Sequence, residues 1–258
     1  MTTRDTPWPD GTPCWADLGA PDIAKARAFY SDVFSWTVQP GGPETGGYSV
    51  AEQNGRGVAG LGPKMGPPEA PTIWMTYLAT SDADATAAKI KSAGGQLVTE
   101  PMDITDVGRM AVAVDPAGAV FGVWQARAFP GAQIVNDIGA MRWNEQVSRD
   151  FEGSKAFYAA VFGYEYGDMS GSGFSYATFK VEGRDVGGIG DLHAGVPADT
   201  PPGWRVYFGA ADTDASVVRV QVAGGSVIRE PIDHPYGRMS TVADDQGAVF
   251  SLLGDTPS

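Results

Sequence analysis

The chain repeats itself. Trp15-Ala-Asp17-Leu-Gly-Ala-Pro-Asp22-Ile-Ala-Lys-Ala-Arg-Ala-Phe29-Tyr30-Ser-Asp-Val-Phe34 returns as Trp143-Asn-Glu145-Gln-Val-Ser-Arg-Asp150-Phe-Glu-Gly-Ser-Lys-Ala-Phe157-Tyr158-Ala-Ala-Val-Phe162. The offset barely drifts: Trp143 lies 128 residues after Trp15, Trp204 lies 130 after Trp74, and Arg238 lies 129 after Arg109. Gly-Gly at 94–95 and 224–225, Gly-Arg-Met at 108–110 and 237–239, and Gly-Ala-Val-Phe at 118–121 and 247–250 keep the same order. A period this long is not that of a solenoid, whose units run to about 20–50 residues, and it describes two fused sister domains.

Each half divides again. Asp22 stands where an N-cap belongs, and Ile23, Ala26, Phe29 or Tyr30, and Val33 follow at helical spacing. Strands follow at Trp36–Gln39 and in a hairpin turning at Asn54-Gly55, so the first 60 residues read β-α-β-β-β. The order restarts with a strand at Ile73–Leu78, a helix from Asp82 to Ala93 closed by Gly94-Gly95, and strands near 96–101, 110–114 and 120–125. The expected division is a loose lead-in over 1–12, a first domain over 13–127, a linker over 128–138 and a second domain over 139–255.

At 258 residues, each half is long enough to bury a core. A formal charge of −13 argues against nucleic acid or an anionic membrane as partner, since both demand a basic footprint. Cys14 is the one cysteine, which rules out an intramolecular disulfide and a cysteine-rich zinc site. The N-terminal residues lack the apolar core of a secretory signal, and no run approaches the roughly 20 apolar residues of a membrane span. A cytoplasmic protein is expected, as monomer or homodimer.

Four β-α-β-β-β modules, helices ending Phe-Tyr-x-x-Val-Phe, and an Asp-Pro-x-Gly-type turn before each half's last strand resemble the vicinal oxygen chelate superfamily. That group includes glyoxalase I, extradiol dioxygenases, and fosfomycin- and bleomycin-resistance proteins. The two-domain length and the Trp-x-Asp/Glu starts look most like actinobacterial tandem-glyoxalase proteins, some labelled hydroxylase or 27 kDa antigen. The resemblance implies an α+β fold of two tandem glyoxalase-like domains, in which two modules pair so that their strands curve into one cup per half.

It also implies where a metal would sit, on histidine and carboxylate ligands of the inner sheet face. Counted on the family pattern, those positions fall on Trp15, Gly60, Met75 and Gly122 in the first half. In the second they fall on Trp143, Gly188, Arg205 and Ser251. None suits the role, so no metal and no other cofactor is expected.

Strand alternation puts Trp15 with Asp17, and Trp143 with Glu145, on one side. With Met75 and Tyr77 in one cup, and Arg205 and Tyr207 in the other, the result is an aromatic wall with few polar groups. Such a wall suits a small organic, aromatic or natural-product-like molecule. Trp15 and Trp143 alternatively fill the cups as core, and Asp17 and Glu145 serve as structural anchors. If there is turnover, the candidates for acid–base work are Glu145, Asp17 and His234, the last with Asp233 and Tyr236 beside it. His234 and His193 read otherwise as solvated loop residues, and Arg109 and Arg238 as a salt bridge shared by both halves. The second cup is the more polar, carrying Arg205, Glu145 and His234 where the first has Met75, Asp17 and Ile104. Gly55-Arg-Gly57-Val-Ala-Gly60 matches a dinucleotide glycine pattern by letter only, because it sits in a hairpin and opens no helix. Three functions remain open: a binder without metal, a metal-independent lyase, isomerase or hydroxylase, and, disfavoured by the ligand count, a metal-dependent glyoxalase or dioxygenase.

Overall fold

A computed structural model describes residues 2–67, 69–193 and 196–255. Every helix begins on an aspartate. Asp22, Asp82, Asp150 and Asp212 each accept a backbone N–H bond from the first turn of α1 (Ile23–Phe34), α2 (Ala83–Ser92), α3 (Phe151–Phe162) and α4 (Thr213–Val222). Those bonds satisfy donors that the helix itself leaves unpaired. On α1 the buried face is Ala26, Phe29, Tyr30 and Val33, and on α3 it includes Phe157, Tyr158 and Val161.

The strands form two sheets, one for each half. In the first, the spatial order is Thr37–Val38, Ser49–Gln53, Arg56–Pro63, Pro13–Ala20, Trp74–Ala79, Val120–Ala126, Gly108–Val114, Gln96–Ile104. The opening strands of the two modules therefore meet antiparallel at the centre, with Trp15 opposite Tyr77 and Asp17 opposite Met75. The second sheet repeats this order with Met141–Ser148 and Gly203–Gly209 at its centre, Trp143 opposite Tyr207 and Glu145 opposite Arg205. The hairpin at Asn54-Gly55 forms, with both residues left-handed at φ 52° and 71° as a tight two-residue turn requires.

Two segments are more ordered than their composition suggests. Thr2–Thr3 pairs with Ile134–Val135 and so joins the second sheet, while Trp8 Nε1 donates to Ala132 O at 3.1 Å. The lead-in is thus fastened to the connecting segment, and that segment carries a strand of its own. The turn before the last strand also differs between halves. Asp115-Pro-Ala-Gly118 becomes Asp244-Asp-Gln-Gly247, yet both aspartates close it alike, accepting from Ala119 N and Ala248 N at 2.8 Å.

The halves join through their helical sides. Tyr30 of α1 donates to Asp244 Oδ2 (2.9 Å) of the other half and accepts from Trp74 Nε1 (2.9 Å). Tyr158 of α3 does the same with Asp115 (3.0 Å) and Trp204 (2.8 Å). Rings cross the seam as well, Phe34 against Phe208 at 5.1 Å and Phe121 against Tyr158 at 5.5 Å. Between the sheets, buried Thr76 donates to Asn144 Oδ1 at 2.9 Å. Because strand residues alternate, Met75 and Tyr77 point the opposite way from Thr76, and each curved sheet opens away from the other half.

Candidate functional site

The concave face of the first sheet collects the residues its register predicts. Trp15 Nε1 donates to the Tyr48 hydroxyl at 2.8 Å, and that hydroxyl lies 3.3 Å from Asp17 Oδ2. The Tyr77 hydroxyl also bonds Asp17. Among the described residues no cation stands beside this carboxyl. Burial pushes Asp17 up to about 7, against the lowering pull of the two tyrosine bonds. The same burial, reinforced by the Asp17 charge, holds the Tyr48 and Tyr77 phenols well above their ordinary range.

The second bowl has the same plan with a different charge pattern. Trp143 Nε1 donates to the Tyr176 hydroxyl at 2.8 Å, and Tyr207 donates to Glu145 Oε1 at 2.7 Å. Arg205 brings its guanidinium to 4.0 Å from the same oxygen. Ser251 faces Tyr207 in the adjoining strand, and Thr241 faces Ser251. Burial, then the Glu145 charge, raises both Tyr176 and Tyr207, so both stay phenols at neutral pH. This bowl can offer a ligand an aromatic wall, two hydroxyl groups, a carboxylate and a guanidinium.

The bowls also differ in what lies on their tryptophans. Trp15 is 4% exposed and carries the Phe129 ring, edge-on at 4.9 Å. Trp143 is only half-buried, and among the described residues no ring rests on it. Trp143 is thus the more accessible of the two indoles.

The positions assigned to metal ligands fall in two neighbouring rows of each sheet: Trp15 and Gly122 flank Tyr77 while Met75 and Gly60 flank Asp17, as Trp143 and Ser251 flank Tyr207 and Arg205 and Gly188 flank Glu145. Tyrosines take up the room. A Cβ built on Gly60 would land on the Tyr48 hydroxyl, one on Gly188 on the Tyr176 hydroxyl, and one on Gly122 on the Tyr77 ring. Among the described residues no three His, Cys, Asp or Glu side chains gather as a metal site. These residues do not fit the superfamily's ion.

Other candidates lie away from the bowl floors. Arg109 pairs with Asp84 and Asp103, and Arg238 with Asp214 and Asp233, the same ion-pair cluster in each half. Asp233 is therefore committed to Arg238 rather than orienting His234. His234 is exposed at the end of an edge strand, its ring 5.6 Å from that of Tyr236. His193 borders residues outside the described set. Tyr48 and Tyr176 are site residues that sequence reasoning missed; their 128-residue offset was the available signal. A cavity of about 610 Å³ opens at the seam between halves, lined by residues such as Phe34, Gln53, Asp137 and Arg219, and no bowl residue reaches it.

Paired β-α-β-β-β modules curved around a central antiparallel pair define the vicinal oxygen chelate architecture. The model of the Glyoxalase/Bleomycin resistance protein/Dioxygenase superfamily matches residues 15–123 and again 140–252, and the chain belongs to this superfamily. CFP32 of Mycobacterium tuberculosis, whose name assigns it provisionally to the glyoxylases, is 40% identical over 255 residues, covering 96% of each chain. The anthracycline biosynthesis protein DnrV of Streptomyces peucetius is 36% identical over 257 residues, covering 94% of this chain and 93% of its own. Among solved structures, the Mn(II)-bound glyoxalase of Novosphingobium aromaticivorans superposes with a TM-score of 0.66 at 18% identity, over 97% of this chain and 84% of that one. The 2,2',3-trihydroxybiphenyl 1,2-dioxygenase of Sphingomonas wittichii gives 0.64 at 12%, over 95% and 90%. At such identities the likeness is one of fold. No helix among the described residues is long and apolar enough to cross a membrane.

Proposed function

We propose that the protein binds a small aromatic molecule of secondary metabolism in its second bowl, without the superfamily's metal. One observation carries this reading: tyrosines fill the space into which a ligand side chain would project at Gly60 and Gly122 in the first bowl and at Gly188 in the second. What remains in the second is a half-buried indole beside Glu145, Arg205 and Tyr207, an apolar wall with a few convergent polar groups. The relatedness to an anthracycline biosynthesis protein supports a hydroxylated polycyclic aromatic as the ligand class.

The test is a titration with 1,4-dihydroxyanthraquinone followed by tryptophan quenching. Micromolar, saturable binding that Trp143→Ala abolishes and Arg205→Ala weakens is the expected result. Calorimetric titration with nickel, zinc and iron(II) should show no stoichiometric sub-micromolar uptake; such uptake would overturn the reading. A second reading, a metal-independent enzyme with Glu145 as base, takes its support from the Glu145 carboxyl that Tyr207 holds beside Trp143 in the bowl. Turnover lost in Glu145→Gln with binding retained would establish it.

A further inference from the structure

The first bowl already holds an aromatic ring, and that ring belongs to the chain. Phe129 stands edge-on to Trp15, with centroids 4.9 Å apart and planes at 87°. It meets Trp124 of Val120–Ala126 at 6.1 Å and 74°. This is the perpendicular geometry in which the edge of one ring meets the face of the other. The segment that carries Phe129 is fastened on both sides. Phe129 N donates to Val107 O at 3.0 Å, Ala132 N to Cys14 O at 2.7 Å, and Gln133 N to Gly57 O at 2.7 Å. Trp143, the counterpart of Trp15, has the same hydroxyl partner on its indole nitrogen and no such ring upon it.

We infer that Phe129 is a built-in occupant of a latent benzenoid-binding site, and that the second bowl takes a ring of free ligand in the same pose, perpendicular to Trp143. The inference rests on the ring-binding reading of the second bowl and extends it to the first. A ring supplied by the chain itself has an effective concentration on the order of millimolar or more, so a free ligand of modest affinity does not displace it. Removing the ring leaves an apolar space of the kind that accepts benzene-sized molecules.

The experiment uses 4-fluorophenol as probe and the indole N–H resonances of Trp15 and Trp143, assigned with Trp15→Phe and Trp143→Phe. In the native chain the probe should shift Trp143 alone, with one equivalent bound. In Phe129→Ala it should shift both, with two equivalents bound. Phe129→Leu, which keeps apolar bulk without the ring, should admit the probe at Trp15 more weakly. A Trp15 response in the native chain equal to that in Phe129→Ala overturns the inference. So does a folded Phe129→Ala in which Trp15 stays silent, and so does failure of both variants to fold, which would make Phe129 ordinary core. A silent Trp143 in the native chain sinks the function proposed above and the second-bowl half of this inference, while the Trp15 comparison still decides whether Phe129 fills a latent site.

Discussion

Asp17 and Glu145 occupy equivalent positions and face different surroundings. Glu145 has Arg205 within 4.0 Å, whereas Asp17 is bonded by the Tyr48 and Tyr77 hydroxyls and by no cation among the described residues, and its burial favours the neutral acid. The sign follows from linkage. A carboxyl raised to about 7 in the fold, against roughly 3.9 in the unfolded chain, costs nothing below pH 3.9. The cost grows as pH rises through that interval and levels off above 7. Thermal melts of the native chain and Asp17→Asn should therefore nearly coincide, apart from the amide's own packing, near pH 4, and the variant should gain steadily up to pH 7.5. A constant difference across that range would refute the assignment. Gly122 is as exacting. A side chain there runs into the Tyr77 ring, so Gly122→Ala should lose about 1–3 kcal/mol in urea unfolding, and replacing Trp15 and Met75 by histidine with Gly122→Glu should not create stoichiometric manganese binding.

Among strands, helices and turns, much was legible and the omissions have a common cause. The caps at Asp22, Asp82, Asp150 and Asp212, the Asn54-Gly55 hairpin and the alternation that puts Trp15 with Asp17 are all local chemistry, and each can be read from a few neighbouring letters. The tyrosines that complete the bowls could not be read that way. Tyr48 reaches Asp17 from the residue before the Ser49–Gln53 strand, 31 residues on, through register that the intervening loop conceals. The pairing of Thr2–Thr3 is hidden for the same reason, because its partner at 134–135 is far along the chain. Long-range pairing also explains why the Phe-Tyr helices and the turn aspartates recur together: each tyrosine hydroxyl satisfies the other half's aspartate. Tyr158→Phe takes one donor from buried Asp115 and should cost about 1–3 kcal/mol, measured by urea unfolding; a loss below 0.5 kcal/mol, roughly a surface substitution's effect, would show the bond to be dispensable.

The two halves share their buried surfaces. Rings of α1 rest on Phe208 and Phe250, Phe121 rests on α3, and α1 meets α4 as α2 meets α3. Neither half can hide these residues alone, so calorimetry should record one cooperative transition, and a fragment of residues 13–127 should aggregate or self-associate on a sizing column. Two well-separated transitions would contradict that. The connecting segment adds a different consequence. A pair of identical subunits must treat its two sites alike, because one gene specifies both. Fusing them introduces a tether that exists once, and a tether can lie across one side only. Here it delivers a phenyl group to one tryptophan and none to the other, so the join that makes the molecule double is also what makes its two faces unequal.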